Sequence, residues 1–386
     1  MQNPFRTILA PLAACAVALS LSAAGNGSRL PKLVMVGHKP GLEELKEDID
    51  WYETQAPFDG TIFHLGMSDV FNPNPVNEWE KRSAIANVKL YREIKFKRWT
   101  YNFLAVLIDQ NKPRWFDDDY WKVVTERWRF AARIAKRAGM VGICFDPEGY
   151  GVYPVESYFK PEWWAKGGGK LKGGGVQPPD PDHTEQDYLV IARKRGRQVG
   201  EAVFKEFPDI IWWSYYWWSF NKGRMMGSFC NGLLDVMPPE ARLVDGDEWL
   251  GYCAKGEAAY DRMIERNKTG CGWLSKRHGA KHRKQGGFSP SFYMDAYAFP
   301  DSNDCLTPNV RQVKDRAEYF HENLKHALRK ATGGHIWIYG EKNTWVNPPP
   351  KKVKEGAKVL PTWEEAIPGI RKALFGKRLD PSEQRK

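Results

Sequence analysis

Short apolar runs and longer amphipathic stretches alternate along the chain. The runs are LVMVG (33–37), GTIFHL (60–65), NFLAVLID (102–109), VGICFD (141–146), IIWWSYYWW (210–218), RLVDGD (242–247), FSPSFYMDAY (288–297) and HIWIYGE (335–341). Several are apolar on both parities, the pattern of strands covered on both faces. Between them the period changes to that of a helix. In 117–139 the apolar positions are Trp121, Val124, Trp128, Ala131, Ala135 and Ala138, with Asp117 to Asp119 at the start and Gly139 at the stop. A second stripe is Val313, Ala317, Phe320, Leu324 and Ala327, and a third Trp363, Ile367, Ile370 and Leu374. Thr184-x-x-Asp187 has the form of a capping box. Eight strand–helix pairs predict an α/β chain of the (β/α)8 TIM-barrel class, in one domain over 31–376. A doubly wound sheet fits less well, because Gly37-His38-Lys39-Pro40-Gly41 is not a G-x-G-x-x-G turn. The stretch 149–183, with KGGGKLKGGGVQPPDPD, is a long insertion after strand 4, expected to be a flexible lid. Residues 377–386 are expected to form a frayed tail.

Residues 1–24 read as a bacterial export signal: Arg6, an apolar run, then Ser22, Ala23 and Ala24. A secreted or periplasmic protein without stable membrane insertion is expected. Leu12 to Cys15 resembles a lipobox, but the apolar run continues past Cys15. Five cysteines remain after residue 24, and Cys253–Cys271 is the favoured disulfide.

In a barrel of this class the active site lies at the C-terminal ends of the strands. The polar residues there are His38, His64, Asp109, Asp146 with Glu148, Asn221, Asp245 with Asp247 and Glu248, Tyr293 with Asp295, and Tyr339 with Glu341. Carboxylates converging on one mouth repel one another, so at least one keeps its proton near neutral pH beside an ionised partner. Glycosidic bond cleavage uses such a pair. The 386 residues hold 17 Trp, 16 Tyr and 19 Phe, more rings than a core of this size needs, and ring faces stack on sugars.

The sharpest motif is Gly142-Ile-Cys-Phe-Asp146-Pro-Glu148. On a continuing strand Asp146 and Glu148 point the same way. This segment resembles the fourth-strand D-x-E ending of chitinase-like glycoside hydrolases, and the chain as a whole resembles the TIM-barrel glycoside hydrolase superfamily. The full D-x-x-D-x-D-x-E pattern needs Asp where Val141 and Cys144 stand, so no specific family is assigned. The resemblance implies Glu148 as general acid. Glu341, on the last strand, is the chosen partner carboxylate, with Asp146 orienting Glu148. His38, Asp247, Glu248, Tyr293, Asp295, Trp217, Trp218, Tyr339 and Trp345 are the expected substrate contacts, and Gly340 is expected to allow close approach of substrate or backbone.

The net charge is +11, and Ser275–Lys284 is a basic run expected to be a solvated loop, able to hold an acidic polysaccharide. Basic residues are otherwise spread through the helices, so no nucleic-acid partner is expected. No H-E-x-x-H, G-x-S-x-G or C-x-x-C motif is present, and neither metal nor cofactor is expected. The chain therefore reads as a secreted glycoside hydrolase acting on an oligo- or polysaccharide. The alternatives are a non-catalytic carbohydrate-binding barrel, or a polysaccharide lyase or metal-dependent hydrolase on the same fold.

Overall fold

A computed structural model describes residues 31–37, 40–108, 113–149, 155–167, 169–171, 174–220, 224–298, 310, 313–341, 345, 347–352, 361–370 and 372. The expected signal (1–24), the tail (377–386), His38, Asp109, Asn221 and Cys305 lie outside these residues.

All eight apolar runs contain strands. They are β1 (Lys32–Gly37), β2 (Gly60–Phe63), β3 (Phe103–Leu107), β4 (Gly142–Asp146), β5 (Ile211–Ser214), β6 (Arg242–Asp245), β7 (Gly286–Phe288), β8 (Ser291–Tyr293) and β9 (His335–Gly340). The sheet order is β7-β6-β5-β4-β3-β2-β1-β9-β8, with every pair parallel. Only Ser289 and Pro290 separate β7 from β8. The first half of this seventh rung pairs with β6 and the second half with β9. Bonds from Ser289 N–H to the Asp245 carbonyl (2.9 Å) and from Trp337 N–H to the Pro290 carbonyl (3.2 Å) carry the pairing across the interruption. The ring is thus closed, a (β/α)8 barrel.

Helices pack outside it where the periodicity placed them. The helix Asp118–Ala138 is capped by the Asp117 side chain and stopped by Gly139 in the left-handed region. The Thr184–Asp187 capping box opens the helix Glu185–Glu206. In the third stripe Trp363–Ala366 is a helix and Ile370 is helical, while Leu374 lies outside the described residues.

Alternate strand residues face in and out. Trp212 points outward against Trp128 and Phe204. Trp213 points inward and meets Phe103, His335 and Trp337. The barrel interior is therefore filled with rings below the mouth.

Within the Gly-rich insertion Lys170 and Val176 form an antiparallel bridge. Two expectations are corrected. The basic run holds the helix Gly279–Gln285, whose His282 and Gln285 turn inward. His278, just before it, lies 3.0 Å from the Asp235 carboxylate. No disulfide joins Cys253 to Cys271, so the favoured pairing does not form.

Candidate active site

The floor of the barrel mouth is a stack of two rings. Tyr215, just past β5, lies on Trp337 of β9 with centroids 4.6 Å apart and planes 9° apart. Trp337 donates its indole N–H to the Ser289 carbonyl at 3.1 Å, which fixes its orientation. Gly246 makes room beside it: a Cβ there would stand 2.9 Å from the Ser214 carbonyl oxygen and 3.1 Å from Trp337 Nε1.

Above this floor, carboxylates from two strand ends meet. Asp146 is the last residue of β4. The strand does not continue to Glu148 as expected. Instead Glu148 N–H donates to Asp146 Oδ1 at 2.9 Å, an Asx-type turn that keeps the two acids side by side. Burial, then the Glu148 charge, holds the Asp146 carboxyl well above the usual carboxylate range. Across the mouth, Glu248 opens the short helix Glu248–Cys253 after β6. Its carboxyl is also raised well above the usual range, first by burial and next by the charge of Glu148, with Asp146 adding to it. The hydroxyls of Tyr252 and Tyr216 act the other way and favour the charged form. Tyr252 lies four residues after Glu248, one helical turn on, so both face the same side.

Tyrosines complete the wall. Tyr252 meets Tyr293 at 5.1 Å and lies nearly parallel to Tyr339 at 6.3 Å. Tyr293 and Tyr339 are 5.8 Å apart. Tyr339 donates its hydroxyl proton to Glu341 Oε1 at 2.5 Å. Glu341 itself stands exposed at the rim, and its N–H donates to the buried Asp295 Oδ2 at 2.9 Å.

The site residues expected from sequence therefore divide. Asp146, Glu148 and Glu248 come together, with Tyr293, Tyr339, Asp295 and Glu341 beside them. The charge acting most strongly on Glu248 is that of Glu148, while Glu341 accepts from the Tyr339 hydroxyl. Trp217 and Trp218 do not line the mouth. The chain leaves β5 at Ser214, and the turn that follows sends both indoles into the core. Trp217 donates to the Trp212 carbonyl at 3.2 Å, and Trp218 donates to Asn267 Oδ1 at 2.8 Å. Trp345 is likewise buried, edge-on to Phe58 at 4.6 Å and against Trp363. Gly340 yields space to Trp363, not to substrate: a Cβ there would stand 2.0 Å from that ring. Asp247 is buried and accepts from Asn267 Nδ2 at 3.2 Å. His64 is exposed just beyond β2. Tyr215, Tyr216, Tyr252 and Trp337 were not among the expected site residues. Tyr252 was visible as the i+4 partner of Glu248; the others were hidden in runs that read as strand.

Among the described residues no group of three or more His, Cys, Asp or Glu side chains is placed to hold a metal ion. No described helix is long and apolar enough to cross a membrane.

No family model and no curated protein matches the chain. Solved structures do. A GH5_18 protein from Streptomyces cattleya in complex with Manb1-4GlcNAc is 13% identical, over 91% of this chain and 82% of that one, with a TM-score of 0.45. An exo-beta-1,4-mannosidase from Opitutaceae bacterium strain TAV5 is 12% identical, over 90% and 60%, with a TM-score of 0.42. The catalytic domain of the major endoglucanase from Xanthomonas campestris pv. campestris is 11% identical, over 90% and 95%, with a TM-score of 0.38. This chain thus spans less than two thirds of the mannosidase. At such scores these likenesses decide nothing about chemistry. The barrel that the superfamily resemblance implies is seen in the chain's own strand order.

Proposed function

We propose that this protein is a glycoside hydrolase, exported and acting on an oligo- or polysaccharide. The observation that carries the reading is the buried Glu248 carboxyl facing Glu148 and Asp146 above a ring-lined floor. A carboxyl so raised keeps its proton at neutral pH and can give it to a leaving oxygen. Glu248 is accordingly the proposed general acid, in place of Glu148. It protonates the glycosidic oxygen as the bond to the anomeric carbon breaks. The Glu148 carboxylate supports the positive charge that develops there, water supplies the hydroxyl of the new reducing end, and the proton that water loses returns to Glu248. The faces of Tyr252, Tyr293 and Tyr339 offer apolar surface to a sugar ring, while their hydroxyls hydrogen-bond to its edge.

The test is a panel of purified glycans with release of reducing ends as the readout. Hydrolysis by the wild type, lost in Glu248→Gln and in Glu148→Gln, supports the assignment. Binding without release would make the barrel a receptor, and an unsaturated product would make it a lyase.

A further inference from the structure

Asp245 ends β6, is wholly buried, and accepts four hydrogen bonds. Oδ2 takes the backbone N–H of Trp217 (3.1 Å) and of Ser219 (2.8 Å). Oδ1 takes the Ser219 hydroxyl (2.6 Å) and the N–H of Asp247 (2.8 Å). The donors come from two different loops, one after β5 and one after β6. Each loop carries a mouth residue directly beside a donor: Tyr216 precedes Trp217, and Glu248 follows Asp247.

The second loop is held under strain. Asp247 sits in the left-handed region at φ 39°, ψ 53°, a conformation that non-glycine residues adopt only when their surroundings enforce it. Its carbonyl accepts Gly251 N–H at 2.8 Å, its carboxyl accepts Asn267 Nδ2 at 3.2 Å, and Arg266 Nη1 lies 3.8 Å away. With its N–H on Asp245, the residue is fastened at backbone and side chain. The turn it makes is the one that leads the chain into Glu248.

We propose that Asp245 is a positioning residue, clamping the β5 and β6 loops together so that Glu248, whose N–H donates to the Tyr215 carbonyl at 3.3 Å, is held beside Tyr216 at the mouth. Its effect on turnover rests on the hydrolase reading; its effect on the titration of Glu248 does not. The groups facing Glu248 are Glu148 and Asp146 from β4, Tyr215 and Tyr216 after β5, Tyr252 from its own helix, and Tyr339 from β9. Those acting on Asp245 or Asp247 include Ser219, Asn267 and Arg266, and both carboxyls act in turn on the Cys271 thiol. Among the groups facing Glu248, Tyr216 and Tyr252 favour its charged form. Loosening the clamp withdraws Tyr216, and Glu248 then titrates at higher pH.

The experiment is a titration of the Glu248 carboxyl in the full chain by carbon-13 NMR, with Glu248→Gln assigning the signal. Tyr216→Phe raises the midpoint. Asp245→Asn raises it in the same direction, by about one pH unit or less, and the double variant moves it no further than Tyr216→Phe alone, because both changes remove one contact. Ser219→Ala removes a single donor and gives a smaller rise, so it carries the test if Asp245→Asn does not fold. A lower melting temperature with an unmoved midpoint in Ser219→Ala and Asp245→Asn overturns the proposal, as does full additivity in the double variant. If the wild type cleaves no glycan, the hydrolase reading fails, and the titration still decides the clamp.

Discussion

The charge of Glu148, a hundred residues earlier in the chain, is the strongest electrostatic influence holding the proton on the buried Glu248. The two depend on each other. Burial is the larger cause of the upward shift of Glu248, and the Glu148 charge adds to it.

Replacing either member removes its role without removing core volume. Glu248→Gln and Glu148→Gln are each expected to lower kcat on a cleaved glycan by about 10²–10⁴-fold, the usual scale for a proton-transfer group. Both should melt within a few degrees of the wild type. At pH 8 Glu248→Gln should be no less stable than the wild type, since it removes a buried acid that resists ionisation. Kinetics and thermal melts check both statements.

The direction of the Glu248 shift gives a second prediction. Removing a like charge lowers a carboxyl's pKa. In Glu148→Gln the Glu248 carboxyl should therefore titrate at lower pH than in the wild type, opposite to the change expected for Tyr216→Phe. A carbon-13 titration of both variants reads the two signs. In the wild type, activity should fall on the alkaline side as Glu248 loses its proton.

Core and wall residues should separate in mutagenesis. Trp217→Ala removes a fully buried indole and is expected to cost about 3–5 kcal/mol of stability. Tyr339→Ala, at the partly exposed wall, should weaken oligosaccharide binding with much less effect on melting. Denaturation curves beside calorimetric glycan titration check the contrast.

Two buried histidines contribute to the loss of stability in acid. Burial lowers His335 to about 3, with Arg242 adding to it, and lowers His282 to about 4. Below about pH 6.5 the unfolded chain binds protons that the folded chain refuses, so stability should fall with pH by at most about 1.4 kcal/mol per unit for each histidine. The loss starts at the unfolded value and levels off below the folded one. Asp245 and Asp247 act in the other direction, because burial raises both and their share of stability is lost as pH rises from the unfolded carboxylate value. His335→Phe should flatten the acid side of a plot of melting temperature against pH.

The barrel was legible because its signals are local. Each strand is a run of apolar residues, and the helix Asp118–Ala138 has its stripe, its Asp117 cap and its Gly139 stop within one segment. Asp146, Glu148 and Glu248 were legible as strand-end acids. Their pairing was not. Glu341 adjoins the last strand but stands one residue past its end, at the rim. Glu248 is carried inward by a left-handed turn at an aspartate, a conformation that the residue type gives little warning of. Trp217 and Trp218 misled for a related reason: β5 stops at Ser214, and hydrogen bonds to Asp245, distant in sequence, decide where the rings go.

The interrupted rung at Ser289 and Pro290 has a last consequence. By giving one half to β6 and the other to β9, it leaves the described strands with no open row of amides and carbonyls along a margin of the ring. A second molecule finds no template there to lengthen into a continuous sheet, so the hoop guards the protein against edge-to-edge aggregation despite its many rings.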